Sequence, residues 1–183
     1  SRRLLMLCGS RMPEACRNFK RLIDVVDLIE EEIPVVVLVA LGPEPNFQQL
    51  EAPLKALGFQ QCEPPCGEIG SQACWVKGQQ RVFLGEGQFR RWASWSEVGL
   101  TTAGTATEQL VGLGIPAVSL PGSGPQFKRS FAFRQSRLLG GAVMPCRSQE
   151  VMLACLRLLL RDSSFRDRLG MIGVRRMGPA GGS

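Results

Sequence analysis

The chain has 183 residues, with 22 Lys and Arg against 16 Asp and Glu, a formal net charge of +6, and neither His nor Tyr. Without histidine there can be no Ser-His-Asp triad, no Cys-His pair and no His-ligated metal, so a general base would have to be Asp, Glu, Lys or Cys. Apolar residues at 44% and charged residues at 21% exclude a disordered chain, and the length suits one domain with a sizeable core.

In chain order, short apolar runs alternate with longer amphipathic ones. Leu4 to Cys8 predicts a buried strand closed by Gly9. A helix is predicted from Pro13 to Glu32, with Phe19, Leu22, Ile23, Val26 and Ile29 on one face. Val35 to Leu41 is a continuous β-branched run, expected of a strand covered on both faces. Phe47 to Leu57 predicts a second helix ended by Gly58. Residues 59–80 read mostly as loop, with a short strand at Ala73 to Val76. Arg81 to Leu84, Val98 to Thr102, Ile115 to Leu120 and Ala142 to Met144 are the further predicted strands. Gln88 to Trp95, Thr105 to Leu113, Gln126 to Leu139, Ser148 to Leu160 and Ser164 to Met177 are the further predicted helices, Ser148 serving as an N-cap. Repeated βα units predict an α/β fold, a Rossmann-like parallel sheet with helices on both faces. Ligands of such sheets sit at the carboxyl ends of the strands.

The charge is uneven. Residues 120–183 carry 11 Lys and Arg against 3 Asp and Glu, a net of +8, whereas residues 1–119 carry 11 against 13, a net of −2. The surplus suits a phosphate-bearing ligand or an anionic membrane, and equally well a set of solvated arginines. No RNP, KH or zinc pattern supports nucleic acid. The seven cysteines are irregularly spaced. Cys62 and Cys66 bracket Glu63-Pro64-Pro65, with Cys74 beyond. The second CxxC or His pair that a metal knuckle needs is absent, and reduced thiols are the simpler reading. No run of 18 apolar residues is present to span a membrane, and Ser1-Arg2-Arg3-Leu4 is not a secretory signal. A cytoplasmic chain is expected, with contact at the periphery of the inner membrane as an option.

Three strand-to-helix loops could carry chemistry. Cys8-Gly9-Ser10-Arg11 offers a close-approaching backbone, a hydroxyl and a guanidinium fork at the mouth of a helix, or a plain turn with a surface Arg. Thr101 to Gln109 crowds hydroxyls and small residues at a second helix start. Glu108, one turn in, could bridge vicinal hydroxyls, and it also fits a capping box with Thr105. Pro121 to Lys128 is a Gly/Pro loop leading to Gln126, Lys128, Arg129 and Gln135, or an ordinary flexible connection. All three loops suit a nucleotide diphosphate bearing a sugar.

Ala103-Gly104-Thr105-Ala106-Thr107-Glu108-Gln109, followed by Gly112-Leu113-Gly114-Ile115-Pro116-Ala117-Val118, resembles the donor-site signature of GT-B glycosyltransferases. The likeness is greatest to lipid-A-disaccharide synthase and its related proteins. Leu7-Cys8-Gly9-Ser10-Arg11 is similar to the Leu-Pro-Gly-Ser-Arg turn that opens the family's C-terminal domain, with Cys8 in place of Pro. Pro121 to Phe127, Gln135 to Gly140 and Arg176 to Pro179 continue the pattern of the related branch. The resemblance implies a single Rossmann-like domain over 1–183, the nucleotide-sugar half of a GT-B enzyme. The N-terminal acceptor domain of the same protein is then its missing partner, and the return of the final helix is cut off at Ser183.

It further implies that Glu108 holds the ribose, that Gly104, Thr105 and Ala106 bind the diphosphate, and that Gly9, Ser10 and Arg11 face the phosphates. Gln126 and Gln135 would approach the sugar, and the Leu84 to Phe89 loop would meet the base. No metal or other cofactor is implied, and no catalytic residue is assigned. The function expected is transfer of a hexosamine-like sugar from a UDP carrier to a lipid or glycan acceptor, the chain alone being inactive. A UDP-sugar epimerase of GT-B-like fold and a non-catalytic nucleotide-binding module are the alternatives.

Overall fold

The computed structural model describes residues 1–29, 31–65, 69–102, 105–121 and 142–177; for 105, 106, 176 and 177 only the backbone is described. The predicted helix over Gln126 to Leu139 lies outside the described residues. The strands are β1 (Arg2–Leu7), β2 (Val35–Leu41), β3 (Gln60–Cys62), β4 (Ala73–Lys77), β5 (Gln80–Glu86), β6 (Val98–Thr101), β7 (Ala117–Ser119) and β8 (Val143–Pro145). The helices are α1 (Glu14–Asp27), α2 (Glu51–Ala56), α3 (Phe89–Trp95), α4 (Thr105–Gly112), α5 (Gln149–Arg161) and α6 (Ser163–Met177).

The strands form one sheet in the order β3-β4-β5-β2-β1-β6-β7-β8. From β5 to β8 every pairing is parallel. The order turns back at β1, which pairs with β2 on one side and with β6 on the other. This is the doubly wound, Rossmann-like arrangement that alternating βα units predict.

Both faces of the central strands are buried, as their uninterrupted apolar runs require. Successive residues alternate sides: Leu4 and Met6 join one apolar cluster with Phe19, Leu22 and Leu156, while Leu5 and Leu7 join another with Trp92 and Leu110. Each of these leucines is within a few per cent of full burial, which stabilises the fold by about 1.5–3 kcal/mol per side chain. Helix α1 packs on α5, and α4 packs on α6. Gly99 lets α4 lie close on β6, because a Cβ there would stand 2.4 Å from the Leu110 Cδ2 atom.

Three departures from the sequence reading have physical reasons. Helix α1 stops at Asp27 with Leu28 as its C-cap, short of Glu32; continuing would put the Glu31 and Glu32 carboxylates at the negative end of the helix dipole. The stretch expected to be mostly loop holds a hairpin, with β3 antiparallel to β4 and β4 antiparallel to β5. Its edge strand shows only polar residues and one Cys, so no apolar alternation announces it. Finally, β5 runs through Glu86 instead of ending at Leu84, because its carboxyl end stays paired with Ala40 and Leu41.

Candidate functional site

The carboxyl ends of β1 and β6 lie side by side, with Leu7 opposite Thr101. The Thr102 amide donates to the Leu7 carbonyl at 3.0 Å, so pairing persists to the point where both chains leave the sheet. The chain therefore leaves β1 and β6 side by side at one end of the sheet, at the switch point of the strand order.

The first loop begins at buried Cys8 and exposes Gly9, Ser10 and Arg11. Gly9 has φ +88, a left-handed conformation that only Gly adopts cheaply. The buried Asn18 amide of α1 donates to the Cys8 carbonyl at 3.1 Å and fixes the base of the loop. The Arg11 carbonyl accepts from the Ala15 amide, which begins the hydrogen-bonding of α1. The Ser10 hydroxyl and the Arg11 guanidinium are thus carried on a short, tied-down turn beside the positive end of a helix. Burial pushes the Cys8 thiol up to about 12, so it stays protonated and serves as packing rather than as a nucleophile.

The second loop leads into α4, whose first turn carries Thr105, Ala106 and Glu108. Glu108 is half-buried, Thr107 is buried and Gln109 is exposed. Gly104 lies outside the described residues, as do Gln126 and Gln135 of the third loop. Of the predicted site residues, Gly9, Ser10 and Arg11 follow β1, and Thr105, Ala106 and Glu108 follow β6, so the pairing of these strands puts both groups at the same end of the sheet. Arg21 of α1 donates to the Pro121 carbonyl at 2.6 Å, which ties the start of the third loop to α1. The base loop is shorter than expected, since Leu84 to Glu86 are strand and only Gly87 and Gln88 separate β5 from α3.

Sequence reasoning placed Thr101 and Thr102 in the second loop but missed Ser119, the third of a group of hydroxyls at the carboxyl ends of β6 and β7. Thr101, Thr102 and Ser119 are all essentially buried, and their side-chain oxygens have no hydrogen-bond partner among the described residues. Thr101 and Ser119 face each other in register at the carboxyl ends of β6 and β7. A buried hydroxyl without a partner costs about 1–3 kcal/mol, so polar groups here point to a polar occupant. The available signal was Ser119 itself, a hydroxyl inside an apolar strand directly before Leu120-Pro121-Gly122.

A separate groove of about 760 Å³ runs between α3 and α4, lined by Phe89, Arg90, Ser94, Gln109 and Leu113. It runs from Phe89 and Arg90, at the start of α3, to Ser96 and Ile115, just before the amino ends of β6 and β7.

Chemically, this end of the sheet combines the starts of α1 and α4, the exposed Arg11 guanidinium, the Ser10 hydroxyl and the half-buried Glu108 carboxylate. In general, amides and a guanidinium suit an anion such as a diphosphate, and a carboxylate suits a polyol. Part of the basic surplus is used elsewhere. Arg166 is buried, donates to the Leu159 carbonyl at 2.7 Å and lies 3.4 Å from Glu97. Glu97 also meets Arg2 at 3.0 Å and Arg3 at 3.8 Å.

No known family profile matches the sequence, and no curated protein matches it. Solved structures do. MurG of Acinetobacter baumannii superposes at TM-score 0.66 with 16% identity, over 99% of this chain and 49% of that one. The catalytic domain of cholesterol-alpha-glucosyltransferase from Helicobacter pylori gives 0.62 with 16% identity, over 96% of each chain. UDP-GlcNAc 2-epimerase from Neisseria meningitidis, in its complex with UDP-GlcNAc, gives 0.58 with 16% identity, over 94% of this chain and 39% of that one. The fold is that of a GT-B Rossmann-like domain. The chain spans about 40–49% of the length of a Listeria monocytogenes protein described as a UDP-N-acetylglucosamine 2-epimerase and of MurG. Among the described residues no helix is long and apolar enough to cross a membrane.

Proposed function

We propose that this chain is the donor half of a GT-B glycosyltransferase, binding a UDP-linked, hexosamine-like sugar in the crevice between β1 and β6. The observation that supports the reading is the pairing of β1 with β6, which makes the turn bearing Ser10 and Arg11 and the start of α4 follow neighbouring strands at the switch point. In this reading Arg11, Ser10 and the amides of Gly104, Thr105 and Ala106 hold the diphosphate, and Glu108 accepts from the ribose hydroxyls. As the glycosidic bond to the diphosphate breaks, negative charge grows on the leaving oxygen. Fixed dipoles and Arg11 stabilise that charge more in the transition state than in the ground state. Gln126 and Gln135 are assigned to the sugar by the family resemblance. A second, acceptor-holding domain supplies the base and the lipid or glycan acceptor. The likeness to lipid-A-disaccharide synthase-related proteins favours a lipid acceptor at a membrane, where remaining arginines of the basic last third meet anionic headgroups.

Isothermal titration with UDP and UDP-N-acetylglucosamine tests the reading. Binding that Glu108→Ala weakens by about tenfold, the loss of one charged hydrogen bond, is expected. No heat at millimolar ligand, or a Glu108→Ala variant identical to the parent, sinks it. Two of the structural neighbours are described as UDP-N-acetylglucosamine 2-epimerases, which supports epimerisation as the second reading. Release of an epimerised sugar without any acceptor, by the longer protein, would favour that reading over transfer.

A further inference from the structure

The antiparallel edge of the sheet carries a feature that nucleotide-sugar binding does not use. Cys62 of β3 sits directly opposite Cys74 of β4, and the Cys62 thiol donates to the Cys74 sulfur at 2.8 Å. A disulfide needs Cβ atoms about 3.5–4.5 Å apart, and directly opposed residues of an antiparallel pair hold theirs at about 4.5–5.5 Å. A slight closing of the two strands therefore brings the sulfurs to bonding distance, and the edge is free to close because, among the described residues, β3 pairs only with β4.

The two thiols are unequal. Cys62 is half-buried, and Cys74 is buried. Burial, then the contact with Cys62, pushes the Cys74 thiol up to about 12. An outside reagent meets Cys62 first, and a protonated partner waits beside it. This is the placing of an attacking thiol and a resolving thiol.

We propose that Cys62 and Cys74 are a reversible disulfide site, closed by exchange with an oxidised low-molecular-weight disulfide. The Cys62 thiolate attacks one sulfur of the reagent. The reagent's S–S bond breaks, and its first thiol leaves with the proton that Cys62 gave up. Cys74 then loses its proton and attacks the Cys62 sulfur of the mixed disulfide, releasing the second reagent thiol. The protein dithiol is oxidised by two electrons, and the reagent disulfide is reduced to two thiols. A cross-strand bond on a sheet edge belongs to the labile kind that forms and opens with the surrounding thiol poise.

The bond would close the segment between the two cysteines into a ring. Its last part, residues 69–72, is anchored on β5 and α3. The Ile69 carbonyl accepts from the Trp92 indole N–H at 2.6 Å, and the Gln72 side-chain oxygen accepts from the Glu86 amide at 2.7 Å. Oxidation would thus restrain residues 69–72, which are bonded to the end of β5 and to α3.

The test is a thiol map of the full chain across a series of reduced-to-oxidised glutathione mixtures. Free thiols are blocked with N-ethylmaleimide under denaturing conditions, and the digest is mapped without reductant by mass spectrometry. A Cys62 peptide linked to a Cys74 peptide is expected, with two of the seven thiols protected and both recovered by dithiothreitol. An unlinked pair at the oxidised end, with a native far-ultraviolet circular dichroism spectrum, overturns the proposal. So does a dominant link from either residue to Cys66, or one joining Cys146 and Cys155 alone. Cys74→Ser should stop at a glutathione adduct on Cys62, and an adduct on another cysteine instead refutes the order of attack. The wild-type map decides the site whether or not that variant folds.

Discussion

Gly170 tests how α6 is held behind α4. On helix propensity alone, Ala in place of Gly in the middle of α6 should stabilise by about 1 kcal/mol. Packing opposes this. A Cβ on Gly170 would stand 2.3 Å from the Gly114 carbonyl oxygen and 3.2 Å from its carbonyl carbon. Both atoms belong to the backbone turn after α4, so no side-chain rotation relieves the clash. Overpacking costs about 1–3 kcal/mol, and a contact this short against backbone falls at the upper end. Less the propensity gain, Gly170→Ala should destabilise by about 2 kcal/mol. In a chain of this size that lowers Tm by about 4–8 °C. Urea unfolding followed by circular dichroism gives the midpoint at unchanged slope. Met171→Ala, at an exposed neighbour, should stay within about 0.5 kcal/mol of the parent. A Gly170→Ala midpoint at or above the parent's would mean that α6 does not touch the α4 turn backbone to backbone.

Arg11→Ala should weaken UDP binding by about tenfold and flatten its salt dependence, while the unfolding midpoint holds because the side chain is exposed; unchanged affinity by titration removes Arg11 from the site. Arg166→Ala should cost about 2 kcal/mol in urea unfolding, because it strips the Leu159 carbonyl of its donor and Glu97 of one of three arginines; a loss below about 0.5 kcal/mol counts against a structural role. Cys8, Cys74 and Cys146 are each raised by burial from an ordinary 9.0 to about 12. Between those values the unfolded chain has released these protons and the folded chain still holds them, so stability falls as pH rises. Urea midpoints should therefore be steady below about pH 9 and decline above it, and a flat profile to pH 11 would show that these thiols are not desolvated.

Most of the central architecture was legible because it rests on local patterns. Val35 to Leu41 could only be a strand covered on both faces, and Phe19, Leu22, Ile23 and Val26 could only form one face of a helix. The turn at Gly9 and the mouth of α4 were legible for the same reason, since small residues punctuate both. The β3-β4 hairpin was not, because Gln60-Gln61-Cys62 buries almost nothing and takes its conformation from its neighbour. Ser119 was hidden too. A hydroxyl in an apolar strand looks like a tolerated substitution until its register opposite Thr101 shows two unpartnered oxygens beneath one rim.

By itself, the sequence determined the alternation of strands and helices and the three loops worth searching. Side-chain period and backbone punctuation act within a few residues, and any window of the chain contains them. The tertiary structure alone decided that β1 and β6 are neighbours, that Cys62 faces Cys74, that Gly170 meets Gly114 and that Arg166 closes on Glu97. Those pairings depend on which apolar faces cover one another and in what register, a choice made by the packing of the whole sheet and written in no single segment.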